Sequence, residues 1–212
     1  LIQMQLTGLP VNMSKGKKLN KKLNTNQKNL YTSITSNSII KDFIFHLKHS
    51  YVSKRNSELK TKVIKITDDE VNEKVEFKCN SSNQLQVLLY SDEFLNLPII
   101  DYTDTKAPAT GGKTLDKLKN HTEDQSILEL LDLLIEYKAT ETIVSTFLPA
   151  LLKSQKAKDG WHYLFGNFKL GGTVSGRLSS SNPNLQNLPS MGSSPIKYKL
   201  AVSIKNCIEA PK

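Results

Sequence analysis

From Gly172 to Pro189 the chain offers a hydrophobic core almost nothing to bury. The run carries one arginine, three asparagines, one glutamine and several hydroxyls among glycines and prolines. Side chains of this kind are either solvated or bound to a polar ligand. The run is therefore read as a mobile polar loop or as a binding segment, and from Gly171 onward few residues are able to build a core. Of the 212 residues, 38% are hydrophobic, enough to fill one or two packed domains.

The upstream pattern is helical. Ile39, Ile40, Phe43, Ile44 and Leu47 recur at helical spacing and predict one buried face. Ser81 to Gln84 and Ser126 to Glu129 both have the form of a capping box. The first predicts a short helix through Leu85, Leu88 and Tyr90, ended before Pro98. The second predicts a longer helix carrying Ile127, Leu130, Leu131, Leu134 and Ile135, which can run to Phe147 with Pro149 ending or kinking it. Met4 to Val11 reads as a short strand or helix end closed by Gly8-Leu9-Pro10. Val63 to Ile66 alternates like an edge strand, and Trp161 to Phe168, after the Asp159-Gly160 turn, is strand-like.

Charge is unevenly placed. Residues 1–66 hold 13 Lys/Arg against 2 acids, 67–141 hold 7 against 16, and 142–208 hold 8 against 1, within a net charge of +9. Basic blocks of this kind fit a polyanionic partner, but a low-GC genome rich in Lys and Asn codons gives the same counts. The Lys-rich stretch from Ser14 to Leu30 is accordingly read as a solvated helix in preference to a phosphate-binding one. No apolar run is long enough to suggest a membrane span, and the first residues lack the pattern of a signal peptide. The start at Leu1, not Met, is expected of a chain that begins inside a longer protein. Cys79 and Cys207 lie far apart and outside any CxxC, which argues against a disulfide scaffold or a cysteine zinc site.

Two features invite a nucleotide or metal reading and fail it. Ala107-Pro108-Ala109-Thr110-Gly111-Gly112-Lys113-Thr114 fits a permissive phosphate-loop pattern. Such a loop must leave a buried apolar strand, whereas the acidic, polar Asp101 to Lys106 precedes this one. It is read as a loop leading into a helix. The four histidines show no ligand spacing beyond an isolated His-x-x-His, His46 and His49.

The polar run itself has a chemistry. Arginine and amide side chains can reach the N3 and O2 acceptors that all base pairs present in the minor groove. The hydroxyls of Ser179 and Ser180 and nearby backbone N–H groups can hold phosphates without reading sequence. A protein that must accept any sequence while testing pair geometry would use these contacts. The segment Thr173-Val174-Ser175-Gly176-Arg177-Leu178-Ser179-Ser180-Ser181-Asn182-Pro183-Asn184-Leu185-Gln186-Asn187-Leu188-Pro189 closely resembles the Thr-Gly-Arg-Leu-Ser-Ser-x-x-Pro-Asn-Leu-Gln-Asn-Ile-Pro signature of family A DNA polymerases. Weaker echoes follow in family order. Phe77 to Tyr90, Pro108-Ala109-Thr110 with Leu115 and Leu118, and Tyr137 with Ser145-Thr146-Phe147 resemble the thumb. Ile204 to Pro211 resembles the strand entering the palm, and Met4 to Asn12 the start of the polymerase region.

The resemblance implies an α+β fold, a mostly helical thumb subdomain followed by the first β-strands of a palm. Residues 1–76 would be a basic lead-in, 77–158 the thumb, and 159–212 the start of the palm. It implies that Arg177 enters the minor groove near the primer end, with Asn184, Gln186 and Asn187 on the primer–template duplex beside it. Asn80, Ser81 and Thr110 match thumb positions on the DNA backbone, and Lys205 stands where the family has an arginine.

Departures qualify this. Thr142 replaces a thumb-helix lysine, residues 14–76 are longer than the family equivalent, and the short segment before Trp161 leaves no room for a processivity insertion. The chain stops at Lys212, before the family's first catalytic aspartate, and also lacks the fingers helix, the second metal-binding aspartate and the 3′–5′ exonuclease carboxylates. The expectation is a piece of a DNA-directed DNA polymerase, a cytoplasmic nucleotidyltransferase, that is inactive alone. Its partners would be primer–template DNA and the remaining palm and fingers, with Mg²⁺ held by residues outside this chain. The rival expectations are one half of a split polymerase, a non-catalytic DNA-binding remnant, and a nucleotide-binding fragment resting on Lys113.

Overall fold

The computed structural model describes residues 2–58, 68–169, 176–181 and 195–209. In chain order the elements are α1 (Ile2–Thr7), β1 (Leu9–Val11), α2 (Met13–Ser36), α3 (Ser38–Glu58), α4 (Asp68–Lys74), α5 (Ser82–Tyr90), α6 (Gly112–Leu118) and α7 (Gln125–Thr142). They continue with α8 (Leu148–Leu152), β2 (Gln155–Lys156), β3 (His162–Leu164), β4 (Asn167–Lys169), β5 (Ser179–Ser181) and α9 (Pro195–Lys205). The fold is α+β, as expected, with helices dominating. It divides into two compact units, one made of Leu1–Lys28 and Ala139–Lys212, the other of Asn29–Lys138.

The unit Asn29–Lys138 is helical and has the larger apolar core. Asn37 separates α2 from α3 and caps the latter, its side-chain oxygen accepting from Ile39 N at 2.9 Å. On α3, Ile40 and Phe43 are fully buried, as the apolar spacing requires. Phe43 meets Phe77 and Phe94 edge-on, with ring centroids 5.8 Å and 4.9 Å away. Leu85, Leu88 and Leu89 of α5, Leu115 and Leu118 of α6, and Leu130, Leu131 and Leu134 of α7 complete the core at 0% exposure.

The two capping boxes differ in outcome. Ser81 is the N-cap of α5, its hydroxyl accepting from Gln84 N at 3.4 Å. The return bond from Gln84 goes elsewhere, its Oε1 accepting from Lys78 N at 2.7 Å. For α7 the cap is Asp124, not Ser126: its carboxylate accepts from Ser126 N at 2.8 Å, and the helix begins at Gln125. A carboxylate at a helix start combines the cap bond with a favourable charge on the helix dipole. Beyond Thr142 the helix widens into a π turn over Ile143–Phe147, in which Leu148 N donates to Ile143 O. Pro149 has no N–H to donate, and the wide turn passes the chain around that gap into α8.

The other unit contains the strands. β3 lies between β1 and β2, antiparallel to both, with Leu9 opposite Leu164 and Lys156 opposite His162. Gly8, at φ +69°, turns the chain from α1 into β1, and a Cβ there would stand 2.8 Å from the Phe165 ring. Only glycine combines that backbone with that approach. A second hairpin pairs β4 with β5, Phe168 opposite Ser180. Val11, Leu148, Leu151, Leu164, Ile204 and Cys207 fill this unit's core. Cys79 and Cys207 are both free, buried thiols.

Two strand expectations are corrected. Trp161 to Phe168 is not one strand: it divides into β3 and the start of β4, separated by Phe165 and Gly166. Ile204 to Ile208 is not a strand either. Ile204 and Lys205 end α9, and Ile208 makes a single bridge to Val11. Leu200, Ala201 and Ile204 are buried at helical spacing, and this face decides the segment. The expected edge strand Val63 to Ile66 lies outside the described residues.

Candidate nucleic-acid interface

The expected contact residues fall in both compact units, and each set is built differently. In the strand-containing unit, Arg177 follows Gly176, whose φ of +70° turns the chain into β5. β5 is pinned along β4, Lys169 opposite Ser179 and Asn167 opposite Ser181. Gln5 adds a bond from its Nε2 to Phe168 O at 3.0 Å. Arg177 is exposed at the entry to this hairpin, at the end of a paired strand. Ser179 donates its hydroxyl to Lys169 O at 3.4 Å, while Ser180 is 8% exposed within the hairpin. Asn184, Gln186 and Asn187 lie outside the described residues.

In the helical unit, Asn80 and Ser81 sit at the start of α5 and Thr110 just before α6. Asn80 is exposed, Ser81 partly so, and Thr110 is buried at 6% exposure. The two helix starts share one network. Gln86 of α5 donates to Pro108 O at 2.7 Å, the Tyr90 hydroxyl bonds Ala109 O, and Ala109 N donates to Asp101 O at 2.9 Å. Burial raises the Tyr90 phenol above its ordinary value, with the Asp101 charge adding to it, so the phenol stays a donor.

The same network disposes of the phosphate-loop pattern. Thr114 is buried and donates to Asp101 Oδ2 at 3.2 Å, and Lys117 bridges both Asp101 oxygens at 2.8 and 2.9 Å. These bonds, Lys117 first, hold the Asp101 carboxyl below the usual carboxylate range. The residue a phosphate loop would set on magnesium is thus committed to a structural carboxylate. Among the described residues, no three His, Cys, Asp or Glu side chains converge on a possible metal site.

Lys205 stands at the end of α9, where its surroundings hold a feature the sequence reading missed. A cleft of about 540 Å³ is lined by Lys15, Lys18 and Lys22 of α2 together with Lys205. Asn12 organises it. Its backbone N donates to Cys207 O at 2.8 Å, its side-chain oxygen accepts from Lys15 N at 3.0 Å, and its Nδ2 donates to Glu209 at 2.7 Å. Glu209 also pairs with Lys15. The available signal was the i, i+3, i+7 spacing of three lysines on α2. Nothing in the sequence places Lys205 beside them.

This architecture is shared with a polymerase domain. The chain superposes, over 97% of its length and with a TM-score of 0.65, on 27% of the POL domain of Pol1 from M. smegmatis, solved in complex with DNA primer-template and dNTP; sequence identity is 19%. The model of the family described as DNA polymerase family A matches residues 48–212, and the chain belongs to that family. It is 33% identical over 113 residues to DNA polymerase I of Bacillus subtilis and 36% identical over 114 residues to that of Bacillus caldotenax. These alignments take in 53% and 54% of the chain but only 12% of either relative. Among the described residues, no helix is long and apolar enough to cross a membrane.

Proposed function

We propose that this chain grips primer–template DNA as part of a family A DNA-directed DNA polymerase. The carrying observation is the presentation of Arg177, exposed at the entry to a paired hairpin, within the residues the family model matches. Residues 77–158 act as the thumb and 159–212 as the start of the palm, with 1–76 a basic lead-in. These functional segments cut across the two compact units.

The work of this chain is grip and geometry testing. The Arg177 guanidinium donates to the N3 and O2 acceptors of the minor groove, which are nearly sequence-independent, so a mispaired end that displaces them loses the contact. Asn184, Gln186 and Asn187 extend that contact along the duplex. Asn80, Ser81 and Ser179 serve the sugar–phosphate backbone, the buried Thr110 holding its place before α6, and Lys205 adds salt-sensitive, sequence-blind affinity. Nucleotidyl transfer belongs to the complete polymerase, in which bound Mg²⁺ would supply Lewis-acid chemistry. Its ligands are assigned to the remaining palm and fingers, and a cytoplasmic location goes with this role.

Fluorescence anisotropy with a labelled primer–template duplex tests the reading. The chain should bind with an affinity that falls steeply with salt and is indifferent to sequence. Arg177→Ala should weaken binding by about 1–3 kcal/mol. Absence of binding at low salt, or an affinity that Arg177→Ala leaves unmoved, would overturn it.

A further inference from the structure

Outside the residues matched by the family model, α2 carries a second candidate contact. Lys15, Lys18 and Lys22 line the cleft described above, facing Lys205 and floored in part by Leu19. At about 100° per residue these three lysines fall within an arc of roughly 60° on the helix. Four ammonium groups share the cleft with one carboxylate, Glu209, which is already held by Lys15 and Asn12. Among the described residues Lys18, Lys22 and Lys205 make no ion pair that would neutralise them. Like charges gathered this way repel one another and are most stable with an anion between them.

The shape says which anion. With Lys15 held by Glu209, the rest of the row, Lys18 to Lys22, spans roughly 6 Å along the helix axis at 1.5 Å per residue. A nucleic-acid strand advances roughly 3.4 Å per phosphate, so about two phosphates lie along this row, with Lys205 across the cleft from it. A compact phosphate would reach only one end of it. Long, flexible, exposed lysines also suit a strand that moves, whereas a small anion calls for converging, buried donors.

We infer that the cleft between α2 and the end of α9 is a second nucleic-acid contact, in which Lys18, Lys22 and Lys205 follow the phosphates of one strand. This rests on the DNA-gripping role proposed above and adds a contact that does not involve Arg177. Asn12 sets the register, because it caps α2 and holds the 207–209 segment in place, fixing Lys205 opposite the lysine row. Lys15 positions the wall through Glu209.

The test is salt-dependent anisotropy of the full chain with a labelled primer–template duplex, with helix content checked by circular dichroism. Lys18→Gln with Lys22→Gln should lower the slope of log K against log salt by roughly 1.5 to 2, and adding Lys205→Gln should lower it by nearly one more. Lys17→Gln with Lys21→Gln removes the same charge from exposed positions of α2 outside the cleft and should leave the slope nearly unchanged. Equal losses from both pairs would mean unspecific charge attraction and would overturn the site. So would tripolyphosphate binding that the cleft pair abolishes while duplex affinity stays put, since the occupant would then be a small anion. An unchanged slope in the cleft pair, with Arg177→Ala still weakening binding, would refute this contact and leave the gripping role standing. Failure of the unaltered chain to bind duplex at all would remove both.

Discussion

The helical unit and the β4–β5 hairpin solve opposite problems. In Asn29–Lys138 a leucine and phenylalanine core closes on itself, and Phe43, Leu88, Leu115 and Leu131 are wholly buried. The hairpin has three-residue strands, one of them Ser179–Ser181, and its contribution to a core is small. It holds its place through backbone pairing and the Gln5 bond, and thereby keeps Arg177 at the surface. The contrast is in what each region does with its side chains: one buries them in an apolar core, while the other pairs through its backbone and leaves Arg177 exposed.

Substitutions can break that contrast. The largest effect is expected from Phe43→Ala, which empties a site bounded by Phe77 and Phe94 and should cost about 3–5 kcal/mol in urea denaturation. A loss below about 1 kcal/mol would mean that this core is not the source of stability. Arg177→Ala should invert the pattern, moving the denaturation free energy by no more than about 1 kcal/mol while weakening duplex binding as given above. Gly8→Ala sharpens the picture of the strand-containing unit. With φ at +69° and Phe165 2.8 Å from the new methyl, thermal unfolding should show a loss of about 1–2 kcal/mol. An unchanged midpoint would mean the turn has another conformation open to it.

The smallest effect is electrostatic. The Asp101 carboxyl is held below its ordinary value, by Lys117 first and Thr114 second, so its folded form binds a proton less readily than its unfolded form. The stability it adds is complete above the ordinary carboxylate range and disappears as pH falls through that range and past its lowered folded value. Asp101→Asn should flatten this acid limb slightly. An Asp101→Asn acid limb that overlays the unaltered protein would remove the carboxylate from the account.

Legibility followed the range of the interactions. The face of α3, the Ser81 cap and the apolar stripe of α7 were visible because each depends on residues a few positions apart. The family was legible in the long ungapped run around Arg177. Local rules failed where two local answers competed. Ser126 and Asp124 can both cap a helix, and the charged one does. Ile204 to Ile208 resembled a strand, but Leu200, Ala201 and Ile204 had a core to face, so a helix formed. Pairing was less visible still: β3 finds β1 from more than 150 residues away, a contact with no local signature.

By itself, then, the sequence determined where helices could bury a face, which segment could bury almost nothing, and which family's signature that segment carries. Those are consequences of side-chain periodicity and composition, which act over one or two turns of chain. Tertiary structure alone decided that Thr114 serves Asp101, that β5 lies along β4, and that Asn12 brings Lys205 to the lysine row of α2. Each of these joins groups distant in the chain, and such contacts form only when the burial of a shared core outweighs the entropy of closing the loop between them.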